Sequence, residues 1–306
     1  MKVLIVGGTG MIGGHAAFRL EDEGHEVVIG ARKPADARNP VARFPVLIGD
    51  YTTGGFTPQE LEGFDAVVFS AGNDTRHLPR DADVDAFWRL TQIEGVPNFA
   101  ARAKEAGVGR LVQIGSYYHQ VMPEVAERNP YVRARMLADE GARAHADRDF
   151  NVSTLNAPAI VGALLGRPER RFEGLMAWAR GERPDIGFWA PAGGTNYMSI
   201  RSLTQAISGA LAGAESGKAY LIGDENLTYA AFFQMFFDCV GADQRIVSRD
   251  EEHPLMPDFF IVQGRGNMLS YEPDPEETRM LGYDRNDVRR AVAEVVSMIE
   301  ATRAAP

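Results

Sequence analysis

One eight-residue stretch constrains this chain more than any other. Residues 7–14 read GGTGMIGG, with Gly7, Gly10 and Gly13 in a Gly-x-x-Gly-x-x-Gly spacing. The apolar run Lys2–Val6 (KVLIV) precedes it, and Met11, Ile12, Ala16, Phe18 and Leu20 recur behind it at roughly helical spacing. Strand, glycine turn and helix in that order are the setting in which a dinucleotide is held. Glycine lets the backbone turn sharply and approach a pyrophosphate, whose charge meets free N–H groups at the positive end of the helix. Thr9, Met11 and Ile12, between the glycines, are candidates for the same contact.

The rhythm that starts there continues. Short runs rich in Val, Ile and Leu at 26–29, 45–49, 66–70, 111–114 and 152–155 alternate with helical patterns, the longest at 83–106 and 130–146. Asn129 is placed to cap the second of these, with Pro130 at its first position. Strands without polar alternation, separated by helices, predict a doubly wound α/β (Rossmann) domain with a parallel sheet covered on both faces. After Asn156 the pattern breaks into Gly, Pro and aromatics, with Phe172, Met176, Trp178, Phe188 and Trp189 in a segment lacking clear strands. Residues 197–200 and 219–222 are expected to return to the main sheet. The division read from this is a dinucleotide-binding domain over 1–158, completed by about 195–223, and a smaller, mostly helical substrate lobe over 159–194 and 224–306. Phe232, Phe233, Phe236 and Phe237 recur at helical spacing and read as core.

Composition narrows the function. With 306 residues, 45% of them apolar, the chain can bury a sizeable core. A net charge of −10 and a pI near 5.2 repel phosphate backbones and anionic lipid, so neither nucleic acid nor a membrane surface is an expected partner. Cys239 is the only cysteine, which excludes a disulfide framework and a thiolate metal cluster and fits a reducing cytoplasm. No apolar run approaches the roughly 18 residues of a membrane span, and Val3 to Val6 meets glycine too early for a signal peptide. No metal is expected.

The choice of dinucleotide is read at the second strand. NAD sites usually end it in Asp or Glu, which accepts from the adenosine ribose. Here the chain runs Gly30, Ala31, Arg32, Lys33. Two adjacent cations suit a 2′-phosphate, so NADP is favoured, with NAD as the alternative.

With the motifs that follow, the sequence resembles the extended short-chain dehydrogenase/reductase superfamily, in its NAD-dependent epimerase/dehydratase and dihydroflavonol-reductase-like group, over nearly the whole chain. The resemblance implies cofactor contacts from Asp50, with Tyr51 beside it in IGDYT, and from the turn Ser70, Ala71, Gly72. It further implies contacts from Ala157, Pro158 and Ile160 within LNAPAIVG, whose backbone would meet the nicotinamide carboxamide. The family's catalytic device is a Ser ending the fifth strand and a Tyr-x-x-x-Lys on the next helix. Ser116 and Tyr131 match it, but residue 135 is Arg. A phenol titrates near 10 and needs a nearby cation to act at neutral pH. Residues i and i+4 share a helix face, so Arg135 can supply that charge and a ribose contact, though a guanidinium cannot exchange protons as an ammonium can. Tyr117, Tyr118 and His119 are alternative donors, His119 being more simply read as solvated. Arg170, Arg171 and Arg265 could clamp an anionic substrate, a reading that weighs little in a chain with 28 Arg.

Three functions are compatible with this. The first is an NADP-preferring oxidoreductase reducing a ketone or aldehyde, with Tyr131 as acid/base and a small carbonyl or alcohol as substrate. The others are a nucleotide-sugar epimerase or dehydratase, and an NADP-binding redox sensor without turnover. Members of the family often pair through two helices into homodimers.

Overall fold

The computed structural model describes residues 1–164 and 169–304; residues 165–168 and 305–306, placed by the sequence in the substrate lobe, lie outside the described residues. The chain forms two compact units. The first comprises Met1–Ala157, Leu203–Ile222 and Pro273–Tyr283, and the second Pro158–Ser202, Gly223–Glu272 and Asp284–Pro306. The strands, in chain order, are β1 (Lys2–Val6), β2 (Glu26–Ala31), β3 (Val46–Ile48), β4 (Ala66–Phe69), β5 (Arg110–Ser116), β6 (Asn151–Ala157), β7 (Ala159–Val161), β8 (Trp189–Pro191), β9 (Gly194–Ser199), β10 (Ala219–Leu221), β11 (Glu225–Thr228) and β12 (Val247–Arg249).

In the first unit seven strands form one sheet in the order β10-β6-β5-β4-β1-β2-β3, every pair parallel. All four residues of β4 and four of the five in β1 are buried, as expected of strands covered by helices on both faces. Leu4, Val67, Phe69, Phe99, Leu111 and Val152 belong to one apolar cluster on this sheet. Strand order runs one way from β1 to β3 and the other from β4 to β6. The chain therefore switches direction between β1 and β4, and a crevice at the carboxyl ends of those strands is where such sheets hold ligands.

Two helices frame that end of the sheet. The Pro130–Arg143 helix starts as its sequence requires: Asn129 Oδ1 accepts from the N–H of Tyr131 at 3.0 Å and of Val132 at 3.2 Å, and Pro130 fills the first position, where no N–H is needed. The long helix expected over 83–106 is interrupted. Val84–Trp88 and Gly95–Glu105 are α-helical, but Arg89–Ile93 forms a π-helical turn. Gly95 permits it, because a Cβ there would overlap the Leu90 carbonyl oxygen. Pro97 then falls in the first turn of a fresh α-helix, where it breaks no ladder hydrogen bond.

The second unit holds a three-stranded sheet, β11-β9-β7, and a two-stranded one, β12-β8. Two sequence expectations are corrected here. Residues 197–200 do not return to the main sheet: β9 pairs antiparallel with β11 and parallel with β7. The segment read as lacking strands contains β7 and β8, each three residues long and too short to leave a periodic signal. Of the returning segments only β10 joins the main sheet, beside β6. Phe232, Phe233, Phe236 and Phe237 are buried with Phe172, Met176 and Trp178 in this unit's core. No described helix is long and apolar enough to cross a membrane.

Candidate active site

The glycine loop follows β1 and closes on the turn after β4. Gly7 adopts the left-handed region at φ 84°, and a Cβ on it would lie 2.8 Å from the Ala71 nitrogen. A Cβ on Gly13 would lie 2.7 Å from Ser70 Oγ and 2.5 Å from the Gly7 carbonyl oxygen. Ser70 itself donates from Oγ to the Val6 carbonyl at 2.9 Å. Gly7, Gly13, Ser70 and Ala71 thus meet at the strand-order switch in a cradle that any side chain would fill. Gly10 caps the Met11–Asp22 helix with no side-chain hydrogen bond, so the first turn, with Met11, Ile12 and Gly13, leaves backbone N–H groups able to meet an anion. These residues fit a pyrophosphate. Thr9 belongs to the same loop.

Arg32 and Lys33 follow β2, both exposed, with no ion pair to another described residue. Asp50 is more committed: its Oδ1 accepts from the Thr52 N–H at 2.9 Å and the Thr52 hydroxyl at 2.7 Å, capping a short turn at Tyr51–Thr53. Tyr51 is buried, and its hydroxyl lies 2.8 Å from the Thr91 carbonyl and 3.3 Å from that of Ala71 while accepting from Asn73 Nδ2 at 2.9 Å. Burial pushes its phenol up to about 12, against the Asn73 hydrogen bond and the charges of Arg135 and Arg32. The hydroxyl stays protonated and ties the turn after β4 to the π-turn.

Ser116 ends β5, buried, in register with Ala157 at the end of β6. Tyr131 is half-buried in the first turn of its helix, and its hydroxyl makes no hydrogen bond to a described residue. Arg135, one turn on, is 7% exposed, and its guanidinium donates to the Ile114 carbonyl of β5 at 2.8 Å. A Cβ on Gly72 would come within 2.9 Å of Arg135 Nη1. The arginine is therefore gripped between the ends of β4 and β5, with its buried Nε lacking a partner. Pro158 and Ile160 belong to the second unit, where Ile160 pairs with Met198 and its carbonyl accepts from Arg171 at 2.5 Å.

The chain and its fold have known counterparts. The family model described as "NAD dependent epimerase/dehydratase family" matches residues 3–223. The chain belongs to that family. A curated 3-beta-hydroxysteroid dehydrogenase of Mycolicibacterium neoaurum is 30% identical over 122 residues, which is 38% of this chain and 32% of that relative's length. Among solved structures, the UDP-glucose-4-epimerase of Stenotrophomonas maltophila with bound NAD superimposes with a TM-score of 0.73 at 19% identity, covering all of both chains. The UDP-glucose 4-epimerase of Thermotoga maritima does so with a TM-score of 0.72 at 15% identity, over 99% of this chain and 100% of its own. At these identities the structural likeness concerns the fold.

Against the epimerase/dehydratase family's Tyr-x-x-x-Lys, Arg135 is the departure already noted, and the structure adds a group of residues that the motif does not name. Asp139, wholly buried one turn beyond Arg135, accepts from His119 Nε2 at 3.1 Å, Arg143 Nε at 2.6 Å and Asn156 Nδ2 at 3.1 Å. Burial by itself would raise its pKa, but the hydrogen bonds from His119, Arg143 and Asn156 and the Arg143 charge outweigh it and hold the carboxyl well below the ordinary carboxylate range. His119 is thus enclosed rather than solvated, its side chain 8% exposed, and it is a clamp between the turn after β5 and the tyrosine's helix. The signal was in the sequence as a four-residue repeat, Tyr131, Arg135, Asp139, Arg143, which puts two charged pairs on one helix face.

Proposed function

We propose that this family member is an NADP-preferring oxidoreductase that reduces a ketone or aldehyde carbonyl. The observation that carries the reading is the seating of Tyr131 and Arg135. A half-buried phenol with an uncommitted hydroxyl stands at a helix start, and a buried guanidinium one turn away is anchored to the Ile114 carbonyl. The uncommitted hydroxyl acts as the proton donor, and the guanidinium one turn along the same helix face supplies a fixed positive charge. The nicotinamide ring supplies hydride to the carbonyl carbon when bound. Tyr131 gives its proton to the carbonyl oxygen as the C=O π bond opens, leaving an alcohol and a phenolate that solvent reprotonates at this half-buried position. Ser116, at the end of β5, orients the oxygen. Arg135 holds charge and does not pass protons, because a guanidinium stays protonated.

The glycine cradle holds the pyrophosphate, and Arg32 and Lys33, exposed and without ion-pair partners among the described residues, take the 2′-phosphate. The hydroxysteroid dehydrogenase that matches part of the chain supports oxidoreduction at a carbonyl or alcohol. Fluorescence titration tests the coenzyme choice. NADPH should bind more tightly than NADH, and Arg32→Ala should weaken NADPH by about 1.5–3 kcal/mol while barely changing NADH. Equal affinities in the unaltered protein would remove the NADP assignment.

A further inference from the structure

The Pro130–Arg143 helix is tied to the sheet by side chains that lie beyond Tyr131. One turn past the tyrosine, Arg135 donates to the carbonyl of Ile114, two residues before Ser116. Two turns past it, Asp139 accepts from His119 Nε2 and from Asn156 Nδ2, each at 3.1 Å. His119 follows Ser116 by three residues, in the short Tyr118–Val121 turn. Asn156 directly precedes Ala157, the residue that pairs with Ser116 across β5 and β6. These three polar anchors therefore sit within three residues of Ser116 or of its register partner.

The anchors have little freedom. Asn156 Nδ2 also donates to Gln120 Oε1 at 2.9 Å, and a side chain on Gly115, the register partner of Asn156, would overlap Asn156 Oδ1. His119 Nδ1 is buried with no partner among the described residues, so the polar contacts of the ring run to Asp139 and Asn156. A buried carboxylate is an inefficient way to hold a helix down. Taking its charge out of water costs much of what its partners return, and apolar packing at the same place stabilises a fold as well or better. What a directional network adds is a single arrangement: an apolar contact tolerates a small slide or turn of the helix, whereas several donors aimed at one carboxylate do not. A misplacement of about 1 Å, less than the rise of one helical residue, is enough to cost a reaction about a hundredfold.

We propose that His119 and Asp139 are positioning residues: with Asn156 they fix the register of the Pro130–Arg143 helix against the end of β5, and so set the spacing between Tyr131 and Ser116. This rests on the carbonyl-reductase reading above. Asp139 is wholly buried, so it acts through Tyr131 and Ser116 and not on the substrate. The test follows NADPH consumption by the unaltered protein with butanone, cyclohexanone, hexanal and benzaldehyde, and carries the compound turned over fastest into the variants. Each variant is assayed well below its thermal midpoint and per NADPH-binding site, so that unfolded protein is not counted. His119→Leu should lower kcat about tenfold or more, with KM for NADPH nearly unchanged. His119→Gln, whose amide nitrogen falls near the Nε2 position and still donates to Asp139, should recover most of that loss. In a Tyr131→Phe background, His119→Leu should cost less than about twofold, since the spacing it disturbs then serves no proton transfer. Should the leucine variant fail to fold, His119→Asn, polar but too short to reach Asp139, takes its place with the same expectations. An unaltered kcat beside a lowered thermal midpoint, a loss that glutamine does not reduce, or full additivity with Tyr131→Phe assigns the network to stability alone. Any of these overturns the positioning and leaves carbonyl reduction standing. Intact NADPH binding with none of the four carbonyl compounds consumed overturns both.

Discussion

Arg135 shows how one departure from the family's Tyr-x-x-x-Lys pattern is absorbed by its surroundings. A lysine ends in a compact ammonium, whereas this guanidinium spreads between the Ile114 carbonyl and the open face of Gly72. The site is shaped for a fork, so Arg135→Lys should lower kcat even though charge is kept, since an ammonium cannot reach the same acceptors in the same plane. Gly72→Ala should act alike by pushing the guanidinium aside. Joined with Arg135→Lys, it should cost less than the two losses summed, which steady-state kinetics on the single and double variants would measure. Tyr131 is tested more directly. Tyr131→Phe should cut kcat by roughly 10²–10⁴ with NADPH affinity nearly unchanged, because only proton transfer is removed. Full activity in that variant would remove Tyr131 from the mechanism.

At the scale of elements, the π-turn at Arg89–Ile93 is the least ordinary piece of the first unit. It turns the Thr91 carbonyl toward the Tyr51 hydroxyl and lets the side chain of Gln92 donate to the Asn73 carbonyl at 3.1 Å, so helix, β3 turn and β4 turn are stapled together. Gly95→Ala should destabilise the protein by about 1–3 kcal/mol, the usual cost of forcing extra volume into a packed site, seen as a lower thermal midpoint. The sequence could not announce this turn, because a single i→i+5 step leaves apolar spacing on either side intact. By contrast β1, the glycine loop and its helix were legible, since strand run, glycine spacing and helical repeat all lie within twenty residues. The pairing of β9 was not, because a buried strand carries no local mark of its partner. His119 was misread for a related reason: what decides its environment is Asp139, twenty residues away.

At the scale of the molecule, acid should act on the two units through different groups. In the second unit His253 is wholly buried against the rings of Trp178, Trp189 and Phe233, its Nδ1 accepting from the Leu255 N–H at 3.1 Å. Burial lowers its pKa from 6.5 to about 4. Folding therefore favours the neutral ring. The stability this gives is complete above roughly pH 6.5, where the unfolded histidine is also neutral, and declines as pH falls toward 4. Asp139 in the first unit has a lowered pKa, so its contribution is complete above about pH 4 and declines only below that. Thermal midpoints followed between pH 7 and 4 should fall, with the tryptophans beside His253 as reporters, and His253→Phe should flatten that fall. An unchanged slope in the variant would assign the acid sensitivity elsewhere.

The first unit is assembled from three separate stretches of chain, and this sets an order on its synthesis. When a ribosome has made residues 1–157, six of the seven strands exist but β6 is still an open border of the sheet, its backbone amides and carbonyls facing outward. Its neighbour β10 arrives some sixty residues later, and the carbonyls of Ala210 and Gly217, which Arg110 and Arg143 take as hydrogen-bond acceptors, come with that same late stretch. Until then the nascent sheet offers an unpaired strand to any neighbouring chain, the ordinary starting point of misassembly. A fragment ending near residue 157 should accordingly form aggregates when expressed alone. In the intact protein, escape from that fate depends on how soon the later residues leave the ribosomal tunnel, so slow codons between β6 and β10 would lower the yield of folded protein without changing a single amino acid.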